Sequence, residues 1–192
     1  MQIALIRPGC TDYDQQGRIR GTLDIPMNSD GNAQVATEIE QISDLAVSII
    51  YTGPCSSAVE TAEAISSVKS AKVKKIDRFQ NLDAGLWQGK LVSEVKQNQP
   101  KVYKQWQENP DAICPPEGEM LGEARQRVRI GLDKILKKHL NTDKVVAIVA
   151  PEPIASIIRS ELLHENIGNL WKAECQCGNW EIIDCSPATA AS

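Results

Sequence analysis

Residues 4–21 read ALIRPGCTDYDQQGRIRG. The apolar run Ile3–Ile6 ends in Arg7, and Pro8, Gly9 and a polar stretch punctuated by Gly17 and Gly21 follow. A buried strand that stops at a charged residue and releases a glycine-containing loop is how an α/β sheet presents an anion-binding loop at the carboxyl ends of its strands. The centre of this loop is a proline, which has neither a side-chain lone pair nor an N–H. The stretch predicts an anion loop with no reactive group at its tip. Proline is tolerated there because the strand has ended and no further ladder bond is required.

Outward from this stretch, apolar periodicity alternates between strand and helix. Strands are expected at Gln2–Arg7, Val47–Thr52, Val73–Ile76 and Lys144–Ala150, and helices at Gly31–Leu45, Ser56–Ser67, Met120–His139 and Pro153–Leu163. The long helix carries Leu121, Ala124, Val128, Leu132, Ile135 and Leu136 on one stripe. Leu91–Trp106 is polar and interrupted by Pro100, which predicts two short helices, and Asp111–Glu119 is proline- and glycine-rich loop. Lys172–Cys177 and Trp180–Cys185 read as a final pair of strands around a Gly178-Asn179 turn. The expected fold is three-layer α/β/α with a mostly parallel central sheet covered on both faces. Residues 1–186 are expected as one domain, with 91–118 as a small cap-like insertion and 187–192 as a frayed tail. The strand ends Arg7-Pro8-Gly9, Thr52-Gly53-Pro54 and Ala150-Pro151-Glu152 are expected to meet in space.

Composition narrows the classes. The 192 residues are 42% hydrophobic and 24% charged with a net charge of −4, an ordinary globular balance without the basic excess of a nucleic-acid binder. No apolar run approaches the roughly 18 residues of a membrane span. A core strand begins within three residues of the first, so no signal peptide and a cytoplasmic location are expected. Six cysteines are present, at 10, 55, 114, 175, 177 and 185. A reducing compartment and a sufficient core argue against disulfides, and Cys175 and Cys177 are expected on one strand face as core packing. Their spacing to Cys185 matches no zinc pattern, so no metal site is expected.

Six stretches, in order, resemble the histidine phosphatase superfamily, the phosphoglycerate-mutase-like proteins. LIRPGCT (5–11) is similar to a strand ending in Arg-His-Gly-Glu-Thr. GRIRGTLDIPMNSDGNAQ (17–34) resembles Gly-Arg-x-Gln-Gly-x-x-Asp-x-Pro-Leu-x-x-x-Gly-x-x-Gln. IIYTGPCSSAVETAEAI (49–65) resembles Tyr-Ser-Ser-Pro-Leu-Ser-Arg-Ala-x-Glu-Thr-Ala. NLDAGLWQG (81–89) resembles Glu-x-x-x-Gly-x-Trp-x-Gly, CPPEGEM (114–120) a Pro-Pro-Gly-Gly-Glu-Ser loop, and VAIVAPEPIAS (146–156) a strand ending in Ser-His-Gly.

The resemblance implies a chemistry. The first histidine attacks the phosphoryl group, two arginines and a second histidine hold its oxygens, and a carboxylic acid protonates the leaving group. In this chain the nucleophile position holds Pro8, the second histidine position Pro151, the second arginine position Ser57 and the acid position Asn81. Of the five central groups only Arg7 remains, while structural positions such as Gly9, Thr11, Gly17, Asp24, Gly31, Glu60, Thr61, Gly85, Trp87 and Gly89 are kept. Loss of the nucleophile alone costs a well-studied hydrolase about a million-fold in turnover. The two histidines, His139 at the end of the long helix and His164 after an apolar helix, are read as structural. Glu152, at the start of a helix, stands where a phosphate would sit.

No catalytic residue is therefore expected, and the implied role is binding, scaffolding or sensing. Arg7, Arg18 and Arg20 are the candidate anion-binding residues, and pairing to Asp12, Asp14 or Asp24 is the competing expectation for them. The alternative function is a phosphatase or phosphomutase acting on a phosphate monoester by displaced chemistry. Cys10 would be its nucleophile, with Arg7 lowering the thiol pKa and Asp14 or Asp83 supplying a proton. Against it, Gln16 stands where a Cys-x5-Arg pattern needs arginine. No cofactor, nucleic acid or membrane is expected as a partner. Weak binding of phosphate or another small anion, and a protein partner, are.

Overall fold

The structure is a computed structural model that describes residues 1–140, 142–173 and 176–185. Five strands form one sheet: β1 (Gln2–Arg7), β2 (Val47–Thr52), β3 (Lys72–Lys75), β4 (Val145–Val149) and β5 (Asn179–Asp184). Their order is β3-β2-β4-β1-β5, with every pairing parallel except that of β5 with β1. The fold is α/β with a mixed, mostly parallel five-stranded sheet, as the sequence predicts.

The continuous apolar character of β1 follows from burial on both faces. Ile3 and Leu5 point into one core with Ile49, Tyr51, Val146 and Ile148. Ala4 and Ile6 point into the other with Ile50, Ala147 and Val149. The first core is closed by α6 (Leu121–His139) and α7 (Ile154–Leu163), and it contains the stripe Leu121, Ala124, Val128, Leu132 and Ile135. The second is closed by α3 (Ser56–Lys69) through Ala58, Ala62 and Ile65, beside α2 (Ser29–Gln41). Two short helices, α4 (Val92–Asn98) and α5 (Pro100–Glu108), flank Pro100 as expected, with Pro100 in the first turn of α5, where its missing N–H costs nothing.

Three expectations need correction. Residues 12–16, read as loop, form a short helix, α1 (Asp12–Gln16). Thr11 and Asp14 cap it reciprocally: Thr11 N donates to Asp14 Oδ2 at 2.7 Å and Asp14 N donates to Thr11 Oγ1 at 3.4 Å. Gly17 ends it at φ 68°, a left-handed conformation that glycine adopts without a Cβ penalty. Helix α2 starts two residues earlier than periodicity suggests because the Asn28 side chain accepts from Gly31 N at 2.9 Å.

Among the described residues the expected carboxyl-terminal hairpin does not form. Leu170–Ala173 is a helix, α8, and β5 pairs antiparallel with β1 rather than with a strand preceding it. Trp171 explains the helix: its ring packs among Tyr103, Trp87 and Trp106, a burial worth more than the strand propensity of the segment. Residues 174–175, part of the predicted strand and including Cys175, and the tail 187–192 lie outside the described residues.

Candidate functional site

The carboxyl ends of β1, β4 and β2 lie side by side, as expected from the strand sequence. Ala150 N donates to Ile6 O at 3.0 Å and Gly53 N to Val149 O at 3.1 Å, tying the three exits together. Pro8 is buried in the first exit, and its carbonyl accepts from Gly178 N at 2.9 Å. The next residue, Gly9, packs so closely on Gly31 and Met27 that a Cβ would overlap both. The first loop is thus clamped against α2 and α3, with Gly9 N donating to Thr61 Oγ1 at 3.2 Å.

Arg7 projects from the end of β1 and is almost fully buried. Its Nε donates to Glu152 Oε1 at 2.5 Å, and its Nη1 reaches Asn179 Oδ1 at 3.1 Å and Glu181 Oε1 at 3.4 Å. Glu152 is 0% exposed. Its second oxygen accepts from Ser156 N at 3.2 Å, in the first turn of α7, so the carboxylate takes up both the guanidinium and the positive end of a helix. Arg20, also buried, lies 3.6 Å from Asp14 Oδ2 and reaches Ser57 Oγ at 3.4 Å. Each buried guanidinium therefore already faces a carboxylate, and the pocket carries no net positive charge to attract a dianion.

The remaining predicted residues hold structure. Arg18 donates to Gln16 Oε1 at 2.7 Å and to Gly89 O at 2.6 Å, so it locks two loops together. Asn81 donates from Nδ2 to Gly21 O at 2.8 Å and accepts from Leu82 N at 3.0 Å. Pro151 is buried, and its carbonyl accepts from Ala155 N at 2.9 Å in α7. Asp24 accepts from Ser56 N at 2.7 Å, Asp12 from Asn28 Nδ2 at 3.1 Å, and Asp83 from Gly85 N at 2.9 Å. Of the three predicted ion-pair partners only Asp14 meets an arginine. Glu152 and Glu181 take Arg7 instead.

Cys10 is not a free thiol. It is joined to Cys177 in a disulfide, 167 residues apart in sequence, which corrects both the expectation of unpaired cysteines and the placement of Cys177 as core packing. With its sulfur held in the disulfide, Cys10 has no thiolate to act as a nucleophile in this state. Cys55, Cys114 and Cys185 are free. Neither histidine approaches Arg7: His139 Nε2 lies 2.9 Å from Tyr51 Oη, and His164 closes the far end of α7, about 15 Å of helix from Glu152. Burial, Lys138 and Lys74 push the His139 imidazole below its ordinary value.

Above the strand ends, aromatic rings fill the space. Trp87 meets Trp106 edge to face at 5.7 Å and Trp171 at 5.8 Å, while Tyr103 stacks on Trp171 at 5.0 Å. The cavity left among Gly21, Leu82, Trp87, Trp106, Pro153 and Trp171 measures about 20 Å³. That is room for a single water, which needs about 10–15 Å³.

Sequence reasoning missed Glu181 and Asn179 as partners of Arg7, because nothing local shows which strand β5 joins. It also missed the cysteine pair, since Cys10 and Cys177 meet only once β5 has been laid antiparallel beside β1.

The glycine-punctuated loop at the end of β1, the strand order and the converging exits define a phosphoglycerate-mutase-like α/β protein. Residues 3–191 match the histidine phosphatase superfamily (branch 1), and the chain belongs to that family. Among curated relatives, it is 27% identical over 183 residues to phosphoserine phosphatase 1 of Hydrogenobacter thermophilus, covering 95% of this chain and 86% of that protein. It is 33% identical over 148 residues to the uncharacterized phosphatase PhoE of Bacillus subtilis, covering 77% and 70%. Bacillus stearothermophilus YhfR superimposes with a TM-score of 0.84 at 22% identity, covering 98% of this chain and 93% of that one. The alpha-ribazole phosphatase from Shigella flexneri does so with 0.81 at 20% identity, covering 97% and 92%. These two show a shared fold.

Proposed function

We propose that this chain is a non-catalytic member of its family, a binding or sensing protein in which an internal carboxylate replaces the phosphate. The observation that carries the reading is the buried Arg7–Glu152 pair, with Pro8 and Pro151 at the two positions the family gives to histidine. Formation of a phosphohistidine needs an imidazole nitrogen within reach of phosphorus, and proline has none. Release of an alkoxide needs a proton donor, and Asn81 is committed to Gly21 O and Leu82 N. The filled aromatic roof supports the same reading, because a phosphate monoester needs more room than one water. In this reading residues 1–186 act as one domain. The insertion 91–118 supplies rings to the roof and leaves its outer face for a protein partner.

A second reading is a phosphatase with displaced chemistry, favoured by the relatives, whose names are those of phosphatases and mutases. It requires a nucleophile other than Cys10 in its disulfide form, such as a carboxylate.

Assay of p-nitrophenyl phosphate hydrolysis between pH 4.5 and 8 separates the two. No turnover above buffer is expected. Turnover within a few orders of magnitude of a family enzyme, lost in Arg7→Ala, would overturn the proposal. Partial rescue is expected when Pro8→His, Ser57→Arg, Asn81→Glu, Pro151→His and Glu152→Gly are combined.

A further inference from the structure

A second concavity lies at the opposite edge of the sheet, between β3 and α6. It encloses about 670 Å³ and is floored by Tyr51, Ile76, Gly131 and Ile135. Its size falls in the range of small-molecule pockets, roughly 300–1,000 Å³. Five cationic side chains surround that floor: Lys74 and Lys75 from β3, Arg78 just beyond it, and Lys134 and Lys138 from α6. Asp77 is the only carboxylate among the lining residues. Arg127 also borders it but is occupied by Glu119 at 2.7 Å and by the carbonyls of Arg78 and Gln80.

Among the described residues, no ion pair involves Lys74, Lys75, Arg78, Lys134 or Lys138. The chain as a whole is acidic, with 25 Asp and Glu against 21 Lys and Arg, so convergence of this kind is not a by-product of composition. Two ordinary causes place cations here. Lysines on the edge strand β3 discourage strand addition, and lysines at the end of α6 suit its dipole. Neither cause makes the two elements aim their charges into one concavity. The Lys138 side chain lies close to Lys74, and the nearness of its like charge, with desolvation and Lys72, holds the Lys74 ammonium below its ordinary value.

We infer that this cleft binds a small molecule carrying two or more phosphoryl groups. The ammonium groups would hold the phosphoryl oxygens, and the Gly131–Ile135 floor any organic portion. Two strands separate the cleft from Arg7, so the assignment stands whether or not the inherited site is catalytic.

The test uses sodium tripolyphosphate and ATP at matched ionic strength, read by melting temperature and by titration calorimetry. Both are expected to raise the melting temperature of the native chain. Equal affinities assign the site to the phosphoryl chain alone, and tighter ATP binding assigns it to an organic polyphosphate. Lys74→Gln with Lys138→Gln is expected to raise Kd at least tenfold. Without ligand, the same variant should melt no lower than the native chain, because a repulsion has been removed. Lys134→Gln, an exposed position, repeats the loss in affinity on a smaller scale. Lys101→Gln with Lys104→Gln on α5 leaves binding unchanged. The inference fails if neither compound shifts the melting temperature, if the shift survives the double variant, or if only a nucleic acid polymer binds.

Discussion

The guanidinium of Arg7 and the carboxylate of Glu152 meet at 2.5 Å in a place where one is nearly, and the other wholly, shut off from solvent. Arg7 ends β1, and Glu152 follows β4, the neighbouring strand. The pair therefore bridges the loops that follow β1 and β4. Two buried charges in contact are costly to separate, because removing one strands the other without water.

The first prediction follows from that asymmetry. Glu152→Ala leaves Arg7 with only Glu181 and Asn179 at its other face. Destabilisation of about 3 kcal/mol is expected, measured by urea denaturation. Inorganic phosphate should then raise the melting temperature of the variant and leave that of the native chain unchanged. A variant that phosphate does not stabilise would show that Glu152 is not standing in the anion's place.

Most of the sheet was legible because β1, β2 and β4 are short apolar runs bounded by punctuation, and burial on both faces leaves such a run no other home. The converging exits were legible for the same reason. Local signals ran out where long-range partners decide. Thr11-x-x-Asp14 is a capping pattern inside a polar loop, and it marks a helix only when its short length is clamped by neighbours. Lys172 and its neighbours alternate like a strand, yet Trp171 finds three aromatic partners and the segment coils. Arg7 was identified from its position, but Glu181 on a strand more than 170 residues away was not. Cys10 looked like a thiol because no pattern in the sequence announces Cys177.

The cysteine pair gives a second prediction. A cross-link closing 167 residues restricts the unfolded chain by up to about 5 kcal/mol in the loop-entropy treatment, and typical measured effects are about 2–4 kcal/mol. Dithiothreitol, or Cys10→Ser with Cys177→Ser, should lower stability by the smaller amount. Peptide mapping without reductant should recover the peptides bearing residues 10 and 177 as one species. Separate peptides would remove the bond from the native state.

The aromatic roof gives a third. Trp106 is buried against Trp87 and Trp171. Trp106→Ala should cost about 3–5 kcal/mol and enlarge the cavity beside Pro153. Added indole should recover part of the lost melting temperature. An unchanged melting temperature for the variant would mean that the rings are not packed as a unit.

The last prediction concerns Glu38, on α2, which is 2% exposed with neither carboxylate oxygen hydrogen-bonded. Burial pushes its carboxyl up to about 7 from an ordinary 4.5. The folded chain therefore holds a proton that the unfolded chain releases more readily. Below pH 4.5 both states are protonated and the residue exerts no pH-dependent cost. As pH rises from 4.5 to about 7 the unfolded state gains by ionising first, and stability falls. Above that window the full cost, about 3 kcal/mol, is present. Glu38→Met removes the ionisable group while keeping much of its volume. The variant should exceed the native chain in stability at pH 8 by about that amount, and the gain should shrink towards pH 4.5 as the native carboxyl takes up its proton. Urea denaturation of both chains at several pH values checks the slope. A gain that is the same at every pH would assign the effect to packing and not to the buried charge.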